Sequence, residues 1–285
     1  YTYKVEAFGY ESVTNGSFTV DGSKDSDAIA VSMMQTARTE VNFEVTPTEA
    51  QTTIVVKNAD GEIMPAETND SNLYRLPKDE SYSYEIAASG YITANGYFHA
   101  AENHTIQVKL TSAGTAWDGT AKTEPQKVGD VYQISNAAEL AWFAEQINEG
   151  KTSYNAKLTE NINLDNKDWA SIGNNSNPYK GAFDGNGKTI SGLKGDGGLF
   201  EYVAAQGVVK NMTIVADITG QGRVSAVADT LSGTLENIQV KGYISGTAAY
   251  GTTMIGAIAG YAESSAQISN CSNHAEVKNT YAQYN

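Results

Sequence analysis

The sequence predicts a mainly β chain in which small β-sandwich modules in tandem lead into a parallel β solenoid. Three observations predict it. The composition is rich in Gly (27) and Tyr (17) and poor in Pro (5), the profile of many turns and wet aromatic strand faces. A stretch of roughly 80 residues occurs twice near the start. A shorter repeat carrying Asn211, Asn237 and Asn270 fills the second half.

The long repeat comes first in the chain. Tyr1, Tyr3, Val5 and Gly9-Tyr10 return as Tyr82, Tyr84, Ile86 and Gly90-Tyr91. Asn15-Gly16-Ser17-Phe18 returns as Asn95-Gly96-Tyr97-Phe98, and Ile29, Val31 and Met33 return as Ile106, Val108 and Leu110. Residues 1–37 are therefore expected to be the C-terminal half of a module, cut inside a domain, and 38–113 a complete one. In the complete copy Val41, Phe43 and Val45 alternate with Asn42 and Glu44, the period of a half-buried strand. Ile54-Val55-Val56, an Asn58–Gly61 turn, Tyr82/Tyr84/Ile86 and Ile106/Val108/Leu110 follow. Short strands at this spacing, with Asp-Gly and Asn-Gly turns between them, read as a small β-sandwich.

A small-residue linker, Ser112–Ala116, ends the module. Beyond it one segment has helical period. Asn136 can cap it, with Glu139 placed to complete a capping box. Leu140, Phe143, Ala144 and Ile147 make one apolar stripe, and Gly150 stands where a left-handed C-terminal cap belongs. The spacing predicts a helix over 137–149, with the Leu140/Phe143/Ile147 face packed over the open end of the solenoid.

Past the helix, Gly198-Leu199-Phe200, Ser225-Ala226-Val227 and Gly256-Ala257-Ile258 share one phase of the short repeat. Val209–Met212, Leu235–Ile238 and Ile268–Cys271 share the next, each with an Asn third. Spacings that vary around a fixed pattern are typical of solenoid rungs with loops of different length. Asn211, Asn237 and Asn270, each flanked by apolar residues, are expected to turn inward and stack as a column of paired amides.

Two family resemblances attach to these residues. Val45-Thr46-Pro47, the valine-rich strand, Asp60-Gly61 and the closing Gly90-Tyr91 resemble PEGA-like and Ig-like modules, strung along bacterial surface proteins. Glu139–Ala144, Leu158, Ile162–Leu164, Trp169, Ile172-Gly173 and Phe183–Gly187 resemble the N-terminal part of GLUG-motif domains, and the later Asn-bearing rungs resemble GLUG repeats. This second resemblance spans about 115–280. It implies a right-handed parallel β-helix, here 114–285 and truncated at its C-terminal end, in an adhesin-like protein secreted by or attached to a bacterium. GLUG repeats also accompany M26 peptidases, but the zinc-binding H-E-x-x-H is absent, so that activity does not carry over.

Composition bounds the function. With 19 Lys and Arg against 33 Asp and Glu, the net charge is −14, which makes nucleic acid a poor partner. No apolar run reaches membrane-spanning length. One cysteine, Cys271, permits neither an intrachain disulfide nor a Cys-based zinc site and reads as a small buried residue. Such a chain suits a bacterial exterior.

Candidate sites are few. Gly187-Lys188-Thr189 imitates the end of a phosphate loop, but position 182 is Ala182 where a glycine is required, so a strand-turn-strand is expected. His99, Glu102 and His104 have a spacing that sends the two histidines to opposite sides of one strand. Asp165, Asp184 and Asn186 are weak calcium candidates that read better as turns. Asp217, Asp229, Glu236 and Glu263 read as solvated surface carboxylates. Tyr179, Tyr202, Tyr243, Tyr250 and Tyr261 are candidate sugar-stacking platforms, with Trp117 beside them; Trp142 and Trp169 read as core. No catalytic residue, metal site or cofactor is expected. The leading function is a non-catalytic stalk or adhesin segment of a cell-surface protein, whose partner would be a host or bacterial surface glycan or protein. The alternative is a carbohydrate-binding module, and a polysaccharide-degrading β-helix ranks third.

Overall fold

The computed structural model describes residues 1–20, 29–247 and 253–279. The chain is mainly β, in several sheets, with one helix among the described residues. It divides into two compact units, Tyr1–Thr111 and Ser112–Asn285.

In the first unit two sheets enclose one core. Arg38–Thr46 lies between His104–Lys109, parallel to it, and Leu73–Pro77, antiparallel. The second sheet is antiparallel throughout, in the order Ile63–Met64, Thr52–Lys57, Ser81–Ala88, Ala94–His99. Alternation decides which side chains go inward. Val41 and Phe43 are buried, whereas Glu44 is exposed. Phe43 sits at the centre, with ring centroids 5.7 Å from Tyr74, 5.2 Å from Tyr84 and 6.0 Å from Phe98. The Asn58–Gly61 turn closes as its residues require. Gly61 takes φ +83°, its N–H donates to the Asn58 carbonyl at 3.0 Å, and the Asn58 side chain accepts from the Asp60 and Glu62 N–H groups.

Residues 1–20 and 29–37 belong to the same compact unit. Thr2–Val5 pairs with Val13–Ser17, and Phe8 packs edge-on against Tyr82 at 6.3 Å. Ile29–Met33, expected as a strand equivalent to Ile106–Leu110, is not one. The later copy pairs along Arg38–Thr46, and no described strand stands beside the earlier copy to pair with it.

The second unit is a stack of parallel ladders. The main one runs Val131–Ile134, Asn155–Leu158, Ala182–Gly195, Val208–Gly220 and Thr234–Gly246, then Gln267–Ser269 and Ser272–Asn279. Phe200–Val203, Ala228–Leu231 and Ala259–Ala262 make a second, and Arg223–Val224 with Met254–Ile255 a third. Apolar residues fall in columns, so Val209 stands on Leu235, Ile214 on Val240 and Ile218 on Ile244, all fully buried. The Leu199 N–H donates to the Ala226 carbonyl at 3.0 Å, and Ala226 in turn to Ala257 at 3.1 Å.

The asparagines do not turn inward. Asn211 is half-buried, and Asn237 and Asn270 are exposed. All three hold the left-handed backbone, at φ 60°, 53° and 52°, as does Asn186 at 51°. The physical reason lies in the spacing of their neighbours. Val209 and Met212 are both buried, yet residues three apart on a straight strand face opposite ways. A left-handed residue between them bends the strand and resets its phase, and Asn is the non-glycine residue that tolerates that conformation best. The amides still form a column, now along the corner. Asn237 Nδ2 donates to Asn211 Oδ1, and Asn211 Nδ2 to Asp184 Oδ1, each at 3.0 Å.

The helix is Ala137–Asn148, with Asn136 as its N-cap accepting from the Glu139 N–H at 3.0 Å. Glu139 does not return the bond to Asn136. Its Oε2 accepts instead from the N–H of Ser135 at 2.6 Å and from the Ser135 hydroxyl at 2.9 Å, one residue further back. At the other end Gly150, at φ +105°, donates to the Ile147 carbonyl and Lys151 to that of Gln146, which completes a Schellman motif. Leu140, Phe143 and Ile147 are fully buried. Phe143 inserts among Tyr132, Tyr179 and Phe183.

Candidate functional site

The second unit holds a cleft of ≈ 560 Å³ whose walls include Asn175, Asp196, Glu201, Gln221, Arg223 and Asp229. Three pieces of chain make it: the loop after Trp169, the segment 196–201, and 221–230, which spans the third and second ladders. Asp229 is the deepest of its carboxylates, at 6% exposure. Expected as a solvated surface acid, it is buried instead. The run Ala226-Val227-Ala228-Asp229-Thr230-Leu231 leads into and fills Ala228–Leu231, the middle strand of its ladder, and every residue of it is buried.

The fold answers this buried carboxylate with donors. Its Oδ1 accepts from the Ser225 N–H at 2.9 Å, the Ser225 hydroxyl at 3.2 Å and the Gly198 N–H at 3.1 Å, which also reaches Oδ2 at 3.0 Å. Burial nevertheless pushes the Asp229 carboxyl up to about 7, against the pull of the Gly198 and Ser225 donors, and the charge of Glu201 adds to the rise. Glu201 is its register neighbour. Phe200 pairs with Ala228 and Tyr202 with Thr230, so Glu201 and Asp229 occupy matching positions on adjacent parallel strands, about 4.8 Å apart along the ladder.

Arg223 faces the same space. One Nη donates to Thr230 Oγ1 at 2.9 Å, and the guanidinium lies 4.4 Å from the centre of the Tyr261 ring. These two contacts hold the charge in place from behind. Sequence reasoning missed this site. Its signal was a single charge inside an otherwise uncharged, mostly apolar six-residue run, with Ser225 four residues earlier to meet it.

Asp229 gives a testable pH dependence. Its folded value is raised above the unfolded one, so the folded state binds the extra proton between about pH 4 and 7. Its contribution is therefore most favourable below that window and is lost as pH rises through 7. Asp229→Asn can keep the three bonds at Oδ1 and needs no proton. Its stability is expected to match or exceed that of the parent at pH 8. The parent alone should gain on this account between pH 8 and 5, by up to about 3 kcal/mol. Equal pH slopes for the two proteins in urea titrations would contradict the assignment.

Of the described tyrosines expected as stacking platforms, Tyr202 and Tyr261 share one column of the second ladder, on either side of Thr230, and Tyr179 and Tyr243 do not join them. Tyr179 is fully buried, with its ring against Phe143 and Phe200 and its hydroxyl donating to the Tyr154 carbonyl at 3.0 Å. It is core, not a platform, because it fills the space under the helix, and burial pushes its phenol above the ordinary range. Tyr202 is half-buried and donates to Glu263 at 3.0 Å. The Ser232 hydroxyl, and after it the Tyr202 phenol, hold the half-buried Glu263 carboxyl below the usual carboxylate range. Tyr243 stands on the main ladder between Asp217 and Glu276, and Tyr261 is committed to Arg223. Tyr250 lies outside the described residues. Trp117 is buried rather than exposed, packed edge-on against Trp169 at 5.9 Å.

Of the calcium candidates, Asp184 accepts from Asn186 and Asn211, and the Asn186 amide donates to the Leu158 carbonyl. Asp165 pairs with Lys167 at 3.4 Å. Among the described residues no group of three or more His, Cys, Asp or Glu is placed to hold a metal. Gly187-Lys188-Thr189 lies inside the bent strand Ala182–Gly195, and no described helix follows it. His99 and His104 lie on different strands, in different sheets. No described helix is long and apolar enough to cross a membrane.

No protein-family model matches the chain, and no solved structure matches it. It is similar to halomucin of Haloquadratum walsbyi, 27% identical over 278 aligned residues that take in 86% of this chain and 3% of that protein. It is also similar to a Gly-rich membrane protein of Evansella cellulosilytica, 31% identical over 126 residues, 39% of this chain and 14% of that protein. The chain thus spans a small fraction of the length of these relatives.

Proposed function

We propose that this chain is a non-catalytic stalk or adhesin segment of a cell-surface protein, with small β-sandwich modules leading into a right-handed parallel β-helix of the GLUG type. The observation that carries the reading is the ladder of Val208–Gly220 on Thr234–Gly246, in register along its whole length and continued on both sides. Such stacks grow by adding layers, each contacting only its neighbours, which suits a part that supplies reach rather than chemistry. The helix Ala137–Asn148 acts as the cap that a solenoid end needs, since an open end leaves apolar edges and strand groups unpaired. The two sheets around Phe43 are read as a PEGA-like or Ig-like sandwich.

The relatives support a surface location. One is a halomucin and the other is described as a membrane protein, and both are far longer than this chain. The net charge of −14 favours solubility and fits a role outside nucleic-acid chemistry. Antibodies against the purified chain, applied to intact and to permeabilised cells that produce it, test the proposal. Labelling of intact cells is expected. Labelling that needs permeabilisation would overturn it.

A further inference from the structure

The walls of the Asp229 cleft carry hydrogen-bonding capacity that the fold does not use. Among the described residues, the side chains of Asn175, Asp196, Glu201 and Gln221 make no hydrogen bond within the protein, although all four line the cleft. Arg223 spends one N–H on Thr230 and, among the described residues, has no carboxylate within ion-pair distance. Its remaining N–H groups are held in place by Thr230 and Tyr261 but have no partner among the described residues. Donor and acceptor groups thus line one space of ≈ 560 Å³, with the Arg223 guanidinium held in place. That size is ordinary for a small-molecule site, and a guanidinium already fixed lowers the entropic cost of its bonds to a ligand.

The chemistry of the walls selects the ligand. The nine residues that line the cleft bring no wholly apolar side chain, so a flat hydrophobic ligand finds little to bury against. Asp196 and Glu201 oppose an anion, and a fixed guanidinium opposes a metal cation. A polyol meets both kinds of wall, because each hydroxyl donates one hydrogen bond and accepts others. We propose that this cleft binds a neutral saccharide, with Glu201 accepting from sugar hydroxyls, Arg223 donating to them, and the Oδ2 edge of Asp229 forming the floor. Binding here stands apart from the stalk reading: the segment could reach outward without gripping a glycan, or grip one without being a stalk.

The experiment uses the full chain on an array of neutral, uronate-containing and sulfated oligosaccharides, followed by calorimetry on those neutral compounds that bind. Glu201→Gln is the primary variant, since that side chain is exposed and makes no internal bond. Arg223→Gln is the second, and Tyr243→Ala, on another ladder, is the control. Neutral binding is expected, weakened at least tenfold by each cleft substitution and unchanged by the control, with melting of Glu201→Gln within about 2 °C of the parent. Three results would overturn the proposal. They are no neutral binding, binding confined to the anionic compounds, or neutral binding indifferent to both cleft substitutions. Calcium chloride alone raising the melting temperature of the parent but not of Glu201→Gln would also overturn it, by giving the cleft to a cation. Each of these failures leaves the surface-labelling result untouched.

Discussion

Phe143→Asp is expected to leave the second unit unfolded at ambient temperature. The ring is fully buried, with centroids 6.3 Å from Tyr132, 6.2 Å from Tyr179 and 6.1 Å from Phe183. Truncating such a side chain costs about 3–5 kcal/mol from lost burial and the cavity left behind. The new carboxylate adds a further penalty of several kcal/mol, or else takes up a proton, because no donor faces it there. Against a typical total of about 5–15 kcal/mol, the sum takes most of the stability. The readout is clean. All three tryptophans, Trp117, Trp142 and Trp169, lie in Ser112–Asn285, so their fluorescence follows that unit alone. Phe143→Leu should retain a cooperative transition at lower temperature. A Phe143→Asp protein that melts within about 2 °C of the parent would show that the helix is not holding the stack together.

The same helix marks how far local sequence reaches. Asn136, the apolar stripe and Gly150 are all read within one short window, and the structure uses each of them. Only the return bond of Glu139 went elsewhere, to Ser135, one residue outside that pattern. The asparagine column was half legible. Its repeat places Asn211 beside Asn237, and the two amides do bond. The inward direction expected for it does not hold, because Val209 and Met212, three residues apart, are both buried. That three-residue spacing, rather than the Asn itself, was the sign of a corner. Tyr179 and Asp229 failed for a different reason. Whether a residue on a layered β stack is covered depends on distant layers, 21 positions away for Tyr179 on Phe200 and 31 for Asp229 on Gly198, and neither partner is adjacent in sequence.

That dependence on distant layers is sharpest at Gly242. Its φ is +107°, outside the range that side chains favour, and an added Cβ would lie 2.0 Å from the Ala216 carbonyl oxygen and 3.0 Å from its carbon. Ala216 cannot withdraw, since its strand is bound between Ala182–Gly195 on one side and Thr234–Gly246 on the other. Gly187 provides the comparison within the same unit: it too has positive φ, +72°, but nothing lies within 4 Å of the added carbon. Gly187→Ala should therefore show backbone strain alone, about 1–2 kcal/mol. Gly242→Ala carries strain and a collision with a fixed backbone. It should cost at least about 3 kcal/mol, the range seen when a special backbone conformation is broken without room to relax. Urea titrations followed by tryptophan fluorescence give both values on one scale. If the two substitutions cost the same, the close approach of Gly242 to Ala216 is refuted, and with it the in-register contact of those two layers on which the parallel stack depends.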